Sequence, residues 1–262
     1  MTFVEAIAFE EAIALLRKRN LLPTSLSSAE LSRIGKEIAQ VSVMSARVED
    51  ARALTILKDF CDQSIATLST KTFTTADMPS FVQKMRAWAQ ESGYVPAPED
   101  ANTIKDLTSI SRLRLMAETN HGIISGFGKA VFDNQPAVRD AFPAQELYRV
   151  GYRNKERDDW HERWADAGGK EFDGRMIATV DDEVWQALGD GEGGYTDTLG
   201  NSWAPFAFNS GMGTRLISRK EATDLGVIDD GETVEPRKLD LLENFTAGLE
   251  RIAPELRAGI KL

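Results

Sequence analysis

Between Thr103 and Phe132 the apolar residues fall at Ile104, Leu107, Ile110, Leu113, Met116, Ile123, Ile124, Phe127 and Val131. This spacing follows one face of a 3.6-residue period and predicts the longest helix of the chain. No other feature constrains the fold as much, because the segments on either side must be arranged around it. Gly122, Gly126 and Gly128 interrupt the run. Each costs a helix about 1 kcal/mol relative to alanine, so a neighbouring backbone approaches closely there or the helix kinks. The stretch "DNQPAVRDAFP" breaks the pattern.

The residues before this run read as one helix after another. Phe3, Ile7, Ala8, Ile13, Leu15 and Leu16 suit an amphipathic helix ending near Asn20, ahead of Pro23. Ser27 and Glu30 form a capping-box pattern that opens a helix through Ile34, Ile38 and Val41. From Ala51 a stripe of Leu54, Leu57, Cys61, Ile65 and Leu68 marks a third, in which Cys61 is a core residue. Phe81, Met85 and Trp88 share a face of a fourth, and "YVPAPEDANT" follows as a linker.

Beyond residue 145 the texture changes. "AQELYRVGYR" alternates as a short strand, Thr179 and Asp182 cap a short helix, and "GDGEGGYTDTLGNSW" is a turn-rich loop. "APFAFNSGMGTRLIS" reads as an apolar loop or strand. Ser218 and Glu221 cap another short helix, ended by Gly226, and Glu235 to Gly259 reads as a last helix with a stripe of Leu239, Leu242, Phe245, Leu249 and Ile252. The sequence therefore predicts a mainly α fold: a helical N-terminal region (1–95), a long connecting helix region (96–142), a smaller, compact, loop-rich α+β module (143–228) and a C-terminal helix (229–262). This last segment is expected to serve partner binding more than folding.

Charge narrows the class of function. Residues 1–145 hold 16 Lys/Arg against 17 Asp/Glu, whereas residues 146–262 hold 15 against 24. An acidic C-terminal half repels phosphate, which argues against nonspecific nucleic-acid binding as the main role. No apolar run reaches the roughly 20 residues of a membrane span. The N-terminus places its acids first and its basic cluster "RKR" last, the reverse of a secretory signal. A single cysteine excludes an internal disulfide and any multi-cysteine metal site, and suits a reducing cytoplasm.

The chemistry-bearing residues are sparse. In "DDWHERWADAGGKEF", His161 lies between Trp160 and Trp164, with Asp158 three residues before it on the same helical face. His161 and Asp158 are the metal candidates, but a zinc site needs three or four converging ligands and no HExxH pattern is present. The residues favour instead a His161 packed between the two tryptophans and bonded to a loop carbonyl or carboxylate. The acidic loop "DGEGGYTD" lacks the ligand order of a calcium-binding EF-hand loop. "GGK" and "SGMG" lack phosphate-loop spacing, and Ser210 lacks a nucleophile elbow. No catalytic set and no cofactor motif emerges, and the expectation is a protein that is not an enzyme. A metal-assisted hydrolase centred on His161 and a generic cellular interaction module are the alternatives.

Three stretches carry a resemblance: "EEAIALLRKRNLLPTSLSSAE", "RLRLMAETNHGIISGFGKAVF" and "ERDDWHERWADAGGKEF". In this order they resemble the minor head morphogenesis proteins of tailed bacteriophages, the group that includes the F protein of phage Mu. The positions similar to the family's signature are Arg112, Thr119, Asn120, Gly128, Lys129, His161, Gly169, Lys170, Phe172 and Pro205. The chain departs from the family's Pro-Pro-x-His-Pro-x-Cys-x-Cys segment, having "WAPFAFNSGMGTRLIS" there, so a metal bound through those residues does not carry over. The resemblance implies a non-enzymatic minor capsid protein of the virion, at the portal vertex or procapsid interior. It is assembled in the host cytoplasm, with the portal protein and the major capsid or scaffold protein as partners. DNA contact is secondary and no membrane is involved.

Overall fold

The computed structural model of the protein describes residues 14–15, 17–31, 33–34, 36–67, 78–150, 158–208, 210–239 and 245–261. Most of the expected first helix, and Leu68 and Leu242 of the apolar stripes, lie outside the described residues. The chain divides into two compact units, one built on Gly126–Leu241 and the other on Ala12–Ser125 together with Leu242–Leu262.

In the second of these, β1 (Asn20–Leu21) pairs in parallel with β2 (Ser42–Val43), Asn20 opposite Ser42. The short helices α1 (Ser28–Leu31) and α2 (Lys36–Gln40) lie between them. The capping box forms as expected, with the Ser27 N–H donating to Glu30 Oε2 at 2.8 Å. The helix it opens stops at Leu31, however, short of the expected Val41. Helices α3 (Ala51–Thr67) and α4 (Met78–Ser92) pack through stacked Phe60 and Phe81, with ring centroids 4.6 Å apart. Cys61 is buried in α3, and burial pushes its thiol up to about 12, which makes it inert at neutral pH.

The long helix α5 spans Ile110–Asp133. It starts later than its apolar stripe because Asp106 turns the preceding residues, accepting from the Thr108 N–H at 2.8 Å and the Asn102 N–H at 2.9 Å. Ser109 Oγ then accepts from the Arg112 N–H at 3.2 Å, satisfying one of the orphan donors of the first turn. Gly126 is the close approach expected of an interior glycine: a Cβ there would lie 1.8 Å from the Ala204 carbonyl oxygen.

The expected C-terminal helix is two short ones, α10 (Phe245–Glu250) and α11 (Pro254–Arg257), divided at a proline that cannot continue the hydrogen-bond ladder. Leu249, Ile252 and Leu256 join Leu22, Leu31 and Ile38 in one buried cluster. The strap closes on backbone: the Ser25 N–H donates to the Gly259 carbonyl and the Lys261 N–H to the Pro23 carbonyl, each at 2.8 Å. The tail is thus part of the core of this unit.

The unit built on Gly126–Leu241 centres on a four-stranded antiparallel sheet of order β4-β5-β3-β6: β3 (Ala144–Arg149), β4 (Glu171–Phe172), β5 (Arg175–Thr179) and β6 (Met212–Ile217). The short helix α6 (Pro136–Ala141) leads into it. On one face Leu147, Met176 and Met212 pack with Trp160 and Trp164 of α7 (Trp160–Asp166), Trp185 of α8 (Val184–Asp190) and Phe206. On the other, Ala144, Ile177 and Ile217 meet Ala222 of α9 (Arg219–Asp224), with Ile228 and Val234. Ser218 caps α9 as its sequence predicts, its hydroxyl accepting from the Glu221 N–H at 3.3 Å.

The mainly α expectation with a distinct C-terminal module is corrected by these strands. The described residues are 46% helix and 12% strand, with helices and strands mixed and two small sheets among them. The two-residue strands β1 and β2 are too short to show a period of two. The β4–β5 turn was signalled by Asp173-Gly174, both at positive φ (53° and 71°), a pair suited to a tight hairpin. Among the described residues no helix is long and apolar enough to cross a membrane.

Candidate functional site

Helix α7 sets the geometry around His161. Trp160 and Trp164, four residues apart, share its buried face, and Trp164 Nε1 donates to the Lys170 carbonyl at 2.8 Å. One residue on from Trp160, His161 is turned outward, with its side chain 60% exposed, and does not pack between the tryptophans. Its Nδ1 meets Glu171 Oε1 at 2.6 Å. The carboxylate it finds is therefore Glu171 of β4, not Asp158, which is exposed. Glu171 lies ten residues away in sequence, and only the turn at Gly168 and Gly169 brings it back.

The acidic loop is organised around a guanidinium. Arg163 Nε donates to Asp159 Oδ2 and its Nη1 to Asp197 Oδ1, both at 2.8 Å, and its Cζ sits 4.1 Å from the Tyr195 ring centroid. Tyr195 OH donates to Asp166 Oδ2 at 2.9 Å, and desolvation followed by that carboxylate pushes its phenol up to about 12. Of the loop's carboxylates, Asp197 is thus held by Arg163, and Asp190 Oδ1 accepts from Gln186 Nε2 at 2.6 Å. Among the described residues, no three side chains of His, Cys, Asp or Glu are grouped to hold a metal ion. Ser210 accepts from the Met212 N–H at 3.3 Å and shapes a turn.

His121 belongs to the other unit. It is buried in α5, and desolvation pushes its imidazole down to about 4.

The resembling positions are distributed over both units. Arg112, Thr119 and Asn120 lie on α5 within the unit that contains β1 and β2. There Arg112 Nη2 donates to Ser45 Oγ at 2.7 Å and the Ala46 carbonyl at 2.6 Å. Asn120 Nδ2 donates to the Met44 carbonyl at 3.1 Å, and Thr119 beside it is half-buried. Gly128 is buried, and Lys129 Nζ bonds Asp133 Oδ2. Gly169 lies under Trp164, where a Cβ would come 2.3 Å from the indole, and Phe172 packs against the Ala144–Ile177 cluster. Pro205, in a cis bond after Ala204, presents its carbonyl to Asn201 Nδ2 at 3.1 Å.

Two buried arginines that no sequence pattern marks complete the scaffold. Arg19 donates to the Ser42 carbonyl and, at 3.4 Å, to the Asn120 carbonyl; desolvation pushes it down to about 10. Arg237 donates to the carbonyls of Val180 (2.7 Å) and Ser202 (2.6 Å) and to Gln145 Oε1 (3.0 Å). Burial likewise pushes it down to about 10. Arg19, last of the basic cluster "RKR", and Arg237, in the polar stretch before the last helices, both look like surface in the sequence until the fold encloses them.

No protein-family model, curated protein or solved structure matches this chain.

Proposed function

We propose that the chain is a non-enzymatic minor capsid protein of a tailed bacteriophage, acting at the portal vertex or in the procapsid interior during head assembly. The portal protein is its first partner, the major capsid or scaffold protein a further one, and DNA contact is secondary. The reading rests on the resemblance of three segments to the minor head family. One structural observation supports it: Arg112 and Asn120 spend their polar side chains on backbone carbonyls inside the fold. Lys170 and Pro205 are held through their own carbonyls, and Gly169 through lack of a side chain. A catalytic group presents its reactive atom to a substrate, whereas these residues brace loops, as an assembly scaffold requires. The excess of acid beyond residue 145 favours a protein that does not adhere to packaged DNA.

Mass spectrometry of purified procapsids and mature heads tests the proposal. The chain is expected in the procapsid in low copy number, and its absence from both particles would overturn the reading.

A further inference from the structure

The four-stranded sheet ends on β6, which among the described residues pairs only with β3. Its free side follows from the register. The Val150 N–H donates to the Gly211 carbonyl at 2.9 Å, in the same register that sets Tyr148 opposite Gly213, Glu146 opposite Arg215 and Ala144 opposite Ile217. Antiparallel strands alternate bonded and non-bonded pairs. Gly211, Gly213, Arg215 and Ile217 therefore turn their main-chain groups to β3, while Met212, Thr214 and Leu216 turn theirs outward. The Met212 N–H is taken by Ser210 Oγ at 3.3 Å. The outward groups of Thr214 and Leu216 meet no partner among the described residues, and both residues are only half-buried.

The strand carries none of the devices that keep such an edge from pairing. Its six residues include no proline, and its register with β3 runs without a bulge. Its one charge, Arg215, is drawn back over the sheet, with Nε 2.8 Å and Nη2 2.7 Å from Glu146 Oε2.

The side chains select the strand that fits there. With a second β6 laid antiparallel about Thr214, Thr214 faces Thr214, Met212 faces Leu216 and Arg215 faces Gly213. Apolar meets apolar, hydroxyl meets hydroxyl and no like charges are opposed, so the edge is complementary to itself under a two-fold axis. An axis at Arg215 would set two guanidinium groups directly against each other. An axis at Gly213 would set Leu216 against Ser210, beyond the strand. Val150 adds a separate reason. It is 62% exposed and lies over Gly213, its Cγ2 2.4 Å from where a Cβ would sit. The aliphatic stem of Arg215 from the second copy, opposite Gly213, covers it.

We infer that two copies of the chain associate through β6, joining their sheets into one about a two-fold axis at Thr214. The Thr214 N–H of each copy donates to the Thr214 carbonyl of the other, and the Leu216 N–H to the Met212 carbonyl. The association requires no portal protein and is tested apart from the assembly reading.

Sedimentation of the full chain at increasing concentration is expected to show a reversible dimer. Thr214→Pro removes the central donor. Because that N–H faces away from β3, the melt should be unchanged, while the dimer weakens at least about tenfold. Cysteine pairing reads the register independently, since the native Cys61 is buried. Thr214→Cys places its two thiols on a bonded antiparallel pair, whose Cα atoms sit about 5.5 Å apart, and oxidation should give a covalent dimer. Leu216→Cys lies on the same face but opposite Met212, so its two thiols are about 13 Å apart along the strands and should stay reduced. A chain that remains monomeric at every concentration overturns the inference. A dimer that Thr214→Pro leaves intact, or that Leu216→Cys cross-links as readily as Thr214→Cys, overturns it as well.

Discussion

The Asn120 side-chain amide donates to the Met44 carbonyl at 3.1 Å, across 76 positions of sequence. Arg19 takes the Ser42 carbonyl on one side of this contact, and Arg112 takes Ser45 and Ala46 on the other. Three side chains thus fix the backbone from β2 into the following loop. Backbone carbonyls are obligatory acceptors, and a buried one left unmet costs about 1–3 kcal/mol. Asn120→Ala removes the central donor, and urea unfolding should show a loss of that size. Asn120→Leu, which fills the volume without the donor, should not recover it.

His161 and Trp164 should behave in opposite ways, although they are three residues apart on one helix. His161→Ala breaks an exposed pair with Glu171 and should change stability by less than about 1 kcal/mol. Trp164→Ala empties the centre of the aromatic cluster, where Trp185 packs edge-on at 5.3 Å, and should cost about 3–5 kcal/mol. Thermal melts of the two variants make the comparison directly.

The buried imidazole of His121 gives the fold an acid sensitivity with a defined sign. Its folded value, about 4, lies below the ordinary 6.5. Above pH 6.5 both states leave it neutral and its contribution to stability is complete. As pH falls from 6.5 to 4 the unfolded chain takes up a proton that the folded chain refuses, and stability declines by something on the order of 3 kcal/mol. Unfolding of the wild type should therefore lose more stability over this window than unfolding of His121→Gln.

Removing residues 245–262 takes Leu249, Ile252 and Leu256 out of a core shared with Leu22 and Ile38. The truncated chain should lose the cooperative melt of that unit and become protease-sensitive there. Leu249→Ala alone should cost about 2–5 kcal/mol. An unchanged melt after truncation would mean that the strap is dispensable.

What the sequence made legible was local. The stripe Leu54, Leu57 and Cys61, the Ser218 cap and the strand beginning at Ala144 each carry their signal within a few residues, and each is found where expected. The fold class was misjudged where the signal was short or ambiguous. Asp173-Gly174 marks a hairpin, but the strands flanking it are brief. Leu239, Leu242, Phe245, Leu249 and Ile252 fit a single helix by spacing, yet Pro254 divides it and Arg237, near its expected start, is drawn into the core. The site was harder still. Glu171 meets His161 only because a turn and a strand return it, and Asp133, Gln145 and Arg237 come together from three distant segments. No spacing rule encodes such meetings.

On the proposed reading the chain binds other head proteins and performs no reaction. The reading is tested most directly by co-expression with the portal protein that it assigns to the chain, affinity capture, and light scattering of the eluate. That reading predicts a complex of defined mass, retained by the His161→Ala variant with its melt unchanged. A chain that captures no portal protein would contradict it.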